Sequence, residues 1–206
     1  MKQAIKTTLF FTIAMITVQA STAQQEIQFS VNYNAASPLE SSLRDYVNKT
    51  SFRGLQESLL LGINNHFRAG IQSSFNNFYQ KKERQVYKST DGSELSAVLS
   101  NTLQTVPIFV KGEYSFLNKG FFKPYVGVGT GINFVSYNQF VGSFEYDKHY
   151  VKTAFIGDIW LLFPFPGKSY YGFRISTSYD LMPFNEEGIK NLNSWNVQTG
   201  FTVTIK

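Results

Sequence analysis

Apolar and polar residues alternate along most of this 206-residue sequence. The C-terminal segment illustrates the pattern, with Trp195, Val197, Thr199, Phe201, Val203 and Ile205 separated by Asn196, Gln198, Gly200, Thr202 and Thr204. Because successive side chains of a β-strand point to opposite faces, the alternation predicts strands with one apolar and one polar face. Apart from one or two turns of helical pattern near residues 94–99, no comparable helical period is present. The sequence therefore predicts an all-β fold.

Eight segments carry this alternation. They lie near residues 26–35, 55–63, 66–79, 105–117, 122–136, 150–163, 170–182 and 195–206. Most approach or exceed the roughly 9–11 residues with which a tilted strand crosses a membrane. Strands of soluble proteins are usually about five or six residues long. The lengths therefore favour strands that cross a membrane.

The connections between the segments alternate in length. Short ones occur at Asn64-Asn65, near residues 118–120 and at residues 164–169. The long ones hold most of the charged residues and lie near residues 36–54, 80–104, 137–149 and 183–194. This arrangement predicts an eight-stranded antiparallel up-and-down transmembrane β-barrel with short periplasmic turns and long extracellular loops. An even number of strands places both ends of the barrel on the periplasmic side.

Seven charged residues within the segments fall on the polar parity of their strands. They are Arg68, Lys111, Glu113, Lys152, Asp158, Arg174 and Asp180. A soluble lipocalin-like barrel would expose this face to water, whereas a transmembrane barrel encloses it. Aromatic residues make up 17% of the chain and gather at strand ends, as expected for two interfacial belts. We therefore expect the seven charges to line the lumen, as a structural network or as the wall of a pore.

Three glycines share the parity of these charges in the fifth segment, at Gly127, Gly129 and Gly131. One interpretation is that they make room in a narrow lumen for bulky neighbours such as Phe109, Ile156 and Trp160. The other is that they mark a bend or bulge of the strand. Both interpretations favour a barrel.

The first residues predict an export signal. Lys2 and Lys6 precede an apolar stretch, and small residues end at Ala23, so we expect residues 1–23 to be a signal peptide and residues 24–206 the barrel domain. The absence of cysteine excludes a disulfide scaffold and a Cys-ligated zinc site. The mild positive charge is no evidence for a nucleic-acid partner.

The pattern resembles the small outer-membrane β-barrel family of Gram-negative bacteria. Residues 123–131 read KPYVGVGTG, which is similar to that family's strand with a proline, an aromatic residue and alternating glycines. Residues 196–206, with Gly200, are similar to its closing β-signal but end in Lys206 rather than an aromatic residue. The resemblance covers nearly all of the mature chain and implies an outer-membrane location. Family members range from membrane-linking proteins to adhesins, channels and enzymes, so it implies no single function.

Few residues indicate chemistry. His66 and His149 lack metal-ligand spacing, and neither forms the His-x-Ser pattern that resembles barrel lipid A deacylases. Asp180, Glu186 and Glu187 are candidates for a barrel protease only through proximity in the sequence. We therefore expect no catalytic site, no metal and no cofactor.

The sequence thus favours a non-catalytic barrel that is embedded in outer-membrane lipid and displays its loops. The loop at residues 80–104 is the expected contact for an extracellular partner. The inward charges are expected to pair and plug the lumen, because an unpaired buried charge is unfavourable. A narrow pore for ions or small solutes, a lipid-acting enzyme and a soluble ligand-binding barrel are the alternatives, and the oligomeric state stays open.

Overall fold

A computed structural model describes residues 26–88, 94–117 and 120–205 of the chain. The expected signal peptide at residues 1–23 and the terminal Lys206 lie outside the described residues. The elements are β1 (Ile27–Pro38), α1 (Ser41–Tyr46), β2 (Ser51–Gly62), β3 (Phe67–Lys88), β4 (Glu94–Ser115), β5 (Lys123–Val141), β6 (Phe144–Phe165), β7 (Lys168–Leu181), β8 (Pro183–Glu186), β9 (Ile189–Asn191) and β10 (Ser194–Ile205).

Eight of these strands form a closed antiparallel barrel in the order β1-β10-β7-β6-β5-β4-β3-β2. Strand β1 closes the ring, because it pairs with β2 on one side and with β10 on the other. Ile27 is the partner of both Leu61 and Ile205, so the first and last strands meet at one rim. The predicted eight-stranded up-and-down barrel is confirmed. No helix among the described residues is long and apolar enough to cross a membrane.

The rim that holds the barrel's two ends carries short connections. In the turn between β2 and β3, the side-chain oxygen of Asn64 accepts hydrogen bonds from the backbone N–H groups of His66 and Phe67, each at 2.8 Å. Such side-chain bonds replace part of a backbone turn and explain why asparagine suits this position. The β6–β7 turn uses Gly167 at a φ of 71°.

The opposite rim differs from the sequence prediction, because two of the expected long loops are largely paired strands. Strands β3 and β4 stay paired up to Lys88 and Glu94, with a register shift between Lys82 and Gln85. The predicted loop at residues 80–104 is therefore wrong except for residues 89–93, which lie outside the described residues. The helical pattern near residues 94–99 is likewise wrong, since this stretch is strand. Strands β5 and β6 also continue through the predicted loop at residues 137–149, to a turn at Gly142-Ser143.

The physical reason is that above the membrane neither face of a strand must be apolar, so the period-two pattern fades while the backbone pairing continues. Strands β3 to β6 therefore rise beyond their neighbours as a four-stranded sheet, which we call the protruding sheet. Its β6 edge is open over residues 144–154, because pairing with β7 begins only at Phe155 and Leu181.

The other two predicted loops contain small folded units. Helix α1 lies in the connection at residues 36–54, and the β8–β9 hairpin lies in the connection at residues 183–194. Asn185, Glu187 and Gly188 adopt positive φ values of 56°, 52° and 75°, which turn the hairpin sharply. We call α1 with Val47, together with residues 182–192, the lid.

The outer wall of the barrel is apolar between two aromatic rows. The row at the short-turn rim includes Phe67, Phe116, Phe122, Phe165 and Tyr171, and the other row includes Tyr33, Phe75, Phe134, Phe155, Tyr179 and Trp195, all exposed. Between them lie exposed residues such as Val110 and Val128. An apolar surface of this extent is stable in contact with lipid. Tyr137, an aromatic residue near the end of β5, does not join the second row, because it points inward and is buried.

Candidate functional site

The lumen is narrow, and no side chains project into it from β5 at Gly127, Gly129 and Gly131. A Cβ atom at Gly127 would collide with Asp158 and would lie 2.6 Å from Lys111 Cε and 3.2 Å from Glu113 Cγ. At Gly129 it would lie 3.0 Å from Ile156. Charged side chains therefore occupy the space beside Gly127, whereas Ile156, one of the expected bulky neighbours, lies beside Gly129.

Four of the seven predicted lumen charges meet beside Gly127. The Lys111 ammonium contacts the Asp158 carboxylate, lies 2.7 Å from Glu113 Oε1 and donates to Gln72 Oε1 at 2.9 Å. Arg174 Nη2 lies 3.7 Å from Asp158 Oδ2 and 3.8 Å from Glu113 Oε1. We call Lys111, Glu113, Asp158 and Arg174 the charge cluster. Its two cations and two carboxylates balance, and all four side chains are buried.

A column of stacked side chains extends from the cluster. The Arg174 guanidinium lies 4.0 Å from the centre of the Trp160 ring, and Trp160 stacks on Tyr125 with ring centres 3.8 Å apart. Arg68 lies over the other end, 4.9 Å from the Tyr125 ring centre. Cations over aromatic faces are favourable, more so away from water. The sequence signal for this column was Trp160 on the parity of the charges, which we interpreted only as bulk, whereas Tyr125 entered only as part of the KPYVGVGTG strand.

The other three predicted lumen residues lie apart from the charge cluster. Arg68 pairs with Glu26 at 3.1 Å. Lys152 pairs with Glu186 of the lid at 2.6 Å. Asp180 is buried and accepts a hydrogen bond from Ser178 at 3.2 Å. The parity of a charge did not reveal its depth in the barrel.

An apolar cluster lies under the lid, beside buried polar side chains such as Asn101 and Asn133, and the sequence analysis missed it. Lid side chains Leu43, Tyr46, Val47, Met182, Phe184, Ile189 and Leu192 pack with barrel side chains Phe78, Leu103, Phe109, Val135, Tyr137, Ala154 and Ile156. This apolar layer fills the mouth above the charge cluster. The sequence did contain a signal for this layer, namely apolar residues inside the predicted loops. Such residues are unexpected there, because solvated loops are usually polar.

Helix α1 is attached to the barrel wall through Tyr46. Its ring stacks on Tyr137 with centres 4.5 Å apart, and its hydroxyl donates to the Asn138 carbonyl at 2.7 Å. The side chain of Asn101 donates to the Tyr46 carbonyl at 2.8 Å. These contacts hold the helix against β4 and β5.

The β8–β9 hairpin is attached to β6 through Glu187. This carboxylate accepts from the Tyr150 hydroxyl at 2.5 Å and from Tyr146 at 3.3 Å, and it lies 3.1 Å from Lys148 Nζ. The hydrogen bond from Tyr150, followed by that from Lys148, lowers the pKa of Glu187 below its ordinary value. We call Glu187 with Tyr146, Lys148 and Tyr150 the lid clamp.

The described residues offer little for catalysis or metal binding. They contain no group of three or more His, Asp or Glu side chains placed to hold a metal ion. His149 lies 3.0 Å from Ser136 Oγ and 3.2 Å from Asp147 Oδ2, but this trio lies open on the outer face of the protruding sheet. The protease candidates are separated, since Asp180 lies in the lumen while Glu186 and Glu187 attach the lid.

Comparison with known proteins supports the fold. No protein-family model matches the sequence, and no curated protein matches it. Among solved structures, Neisserial surface protein A (NspA) is 15% identical with a TM-score of 0.56, over 88% of this chain and 97% of that chain. OprG from Pseudomonas aeruginosa is 13% identical with a TM-score of 0.48, over 91% and 98%. The attachment invasion locus protein Ail of Yersinia pestis is 15% identical with a TM-score of 0.46, over 86% and 97%.

The closed eight-stranded ring, the apolar wall between aromatic rows and the likeness to NspA define the class. The protein has the fold of small outer-membrane β-barrels such as NspA, with an apolar outer wall suited to contact with lipid. The predicted fold class is thereby confirmed.

Lys111 offers a direct test of the charge cluster. We expect Lys111→Met to leave two buried carboxylates facing Arg174 alone and to lower the free energy of unfolding by about 3–5 kcal/mol. The measurement is the urea midpoint of the protein refolded into lipid vesicles. Lys81→Met, at an exposed position of the protruding sheet, is the control and should change it by less than about 0.5 kcal/mol. Equal midpoints for the two variants would refute a structural role for the cluster.

Acid should release the lid clamp. Because the pKa of Glu187 is lower in the folded protein than in the unfolded chain, its contribution is present at neutral pH and is lost as the pH falls through the folded value. We expect amide hydrogen exchange over residues 183–191 to become faster in acid, relative to the exchange of the barrel strands. Glu187→Gln should show fast exchange at neutral pH as well. An unchanged ratio for the wild-type protein would contradict the clamp.

Proposed function

We propose that this protein is a non-conducting, non-catalytic outer-membrane anchor that presents its protruding sheet to an extracellular partner. The observation that carries the proposal is the occupied lumen, in which the charge cluster and the apolar layer lie one above the other. Each layer alone would oppose ion flow, and together they leave the outer surface as the part available for function.

The two layers oppose conduction for different physical reasons. An ion entering the charge cluster must compete with the contacts that Lys111 makes with Glu113 and Asp158. An ion entering the apolar layer loses hydration among closely packed side chains such as Phe109 and Leu103. The nearby buried amides of Asn34 and Asn101 are already engaged in hydrogen bonds. A narrow pore would therefore need both layers to rearrange.

The protruding sheet supplies the display surface. Strands β3 and β4 each have 22 residues, against 12 in β1 and β2, so the barrel wall is much taller on one side. The open edge at residues 144–154 carries unpaired strand backbone, and charged side chains such as Asp147 and Lys148 limit nonspecific pairing there. The region at residues 80–104 thus stays our candidate contact for a partner, as a paired sheet instead of a loop.

Planar-bilayer recording tests the closed lumen. We expect refolded protein, shown to be inserted by its heat-dependent gel mobility, to give no defined single-channel steps. A porin recorded in the same lipid is the positive control. Steps whose size changes in Lys111→Gln, but not in the outward-facing neighbour Val110→Ala, would overturn the closed lumen and identify a pore instead.

Cysteine labelling tests which rim faces outward. The chain has no cysteine of its own, so single substitutions give a clean signal. Ser143→Cys, in the β5–β6 turn, should react with a membrane-impermeant maleimide on intact cells. Asn65→Cys, in the β2–β3 turn, should react only after the outer membrane is permeabilised. The reverse pattern would place the protruding sheet in the periplasm and remove the display role.

A further inference from the structure

One charged side chain departs from the rule that charges in this barrel face inward. Glu57 of β2 is exposed and lies on the outward parity, with Leu55, Leu59 and Leu61. Within the described strands, it is the one charged side chain on the outer wall between the two aromatic rows. The acidic group therefore faces the side of the barrel where lipid lies.

The register places Glu57 inside the apolar band, one outward residue below the upper aromatic row. Leu55, the next outward residue towards the protruding sheet, is already the cross-strand partner of Tyr33 and Phe75 in the upper aromatic row. On the other side, Leu59 and Leu61 separate Glu57 from the short-turn rim. An ionisable group at such a depth is unfavourable unless it is paired, and it marks a functional contact. The described part of the chain gives Glu57 neither a hydrogen bond nor an ion pair.

The direct neighbour of Glu57 supplies a hydrogen-bond donor on the same outer face. Ser73 of β3 is the cross-strand partner of Glu57 and shares the outward parity of Ile71 and Phe75. Strand spacing and barrel tilt make the two residues differ in depth by only about 3 Å. They line a groove of about 160 Å³ together with Leu55, Ser74, Phe75 and Val106.

We propose that the outer face of β2 and β3 is the interface with a second copy of this chain, formed by Glu57 and Ser73. All copies enter the membrane in one orientation, so a two-fold axis must run along the membrane normal and residues of equal depth meet. An axis between β2 and β3 places Glu57 of each copy opposite Ser73 of the partner subunit. Two equivalent hydrogen bonds result, each with the serine hydroxyl donating to a carboxyl oxygen.

The surroundings of the pair suit such an interface. Leu55, Ile71 and Phe75 are exposed and would cover the polar pair from lipid. On the far wall, Thr130 of β5 and Thr177 of β7 supply hydroxyl groups but no charged acceptor. The β2–β3 face is therefore the one that combines a donor and a charged acceptor at similar depth.

Site-specific cross-linking in membranes tests the interface. Ile71→Cys introduces a thiol beside the pair while Glu57 and Ser73 stay intact, and Val128→Cys introduces one in the apolar band of the far wall. With a short bismaleimide applied to outer membranes, we expect covalent dimers from Ile71→Cys and background amounts from Val128→Cys. Adding Glu57→Leu or Ser73→Ala to Ile71→Cys should lower the dimer fraction about tenfold or more, as expected for a lost hydrogen bond to a charged group. Glu57→Gln keeps an acceptor and should retain most of it.

Three results would overturn the proposal. They are equal cross-linking at positions 71 and 128, dimers that persist in Glu57→Leu, or a product whose mass shows a different protein on the β2–β3 face. Heat-dependent gel mobility confirms that each variant is folded, and Glu57→Leu is expected to pass this check because it places an apolar side chain towards lipid.

Discussion

The ring closure between β1 and β10 is the contact on which the rest of the molecule depends. In lipid, no water satisfies the backbone N–H and C=O groups of an open sheet edge, so the sheet must pair with itself. Twelve consecutive residue pairs from Ile27–Ile205 to Pro38–Ser194 make that closure. Once the ring is closed, every outward side chain faces lipid and every inward one faces a lumen that only eight strands enclose.

A lumen of this size leaves the inward side chains little freedom, because eight strands enclose just enough space for them to fill. The protein fills this space differently at two depths. In the charge cluster, Lys111 contacts Glu113 and Asp158, so the buried charges balance. Under the lid, apolar side chains pack together beside hydrogen-bonded asparagines such as Asn34 and Asn101. Gly127 makes room for the charge cluster, because any larger residue would occupy the volume in which the charges meet.

The sequence allowed the fold to be predicted far better than the site. Alternation revealed the strands, their number and the face of each charge, since burial in lipid and in the lumen both follow side-chain parity. It did not reveal that Lys111 and Asp158 would meet while Lys152 would not, because depth depends on the register between strands. It also misjudged residues 80–104, since paired strands in water need no apolar face. The lid was hidden for a related reason, because its apolar residues lie in short elements without a long periodic pattern.

Departures from parity therefore carry more functional information in this barrel than agreement with it. A charge that follows the rule, such as Arg174, is explained by the need to fill and balance the lumen. Glu57 fulfils no such need, because Leu at the same position would satisfy the lipid-facing wall at no structural disadvantage. A residue that is unfavourable for the isolated barrel is favoured once a partner supplies a hydrogen-bond donor at the same depth. Because Ser73 lies at a similar depth, a second copy of the same chain would supply such a donor to Glu57.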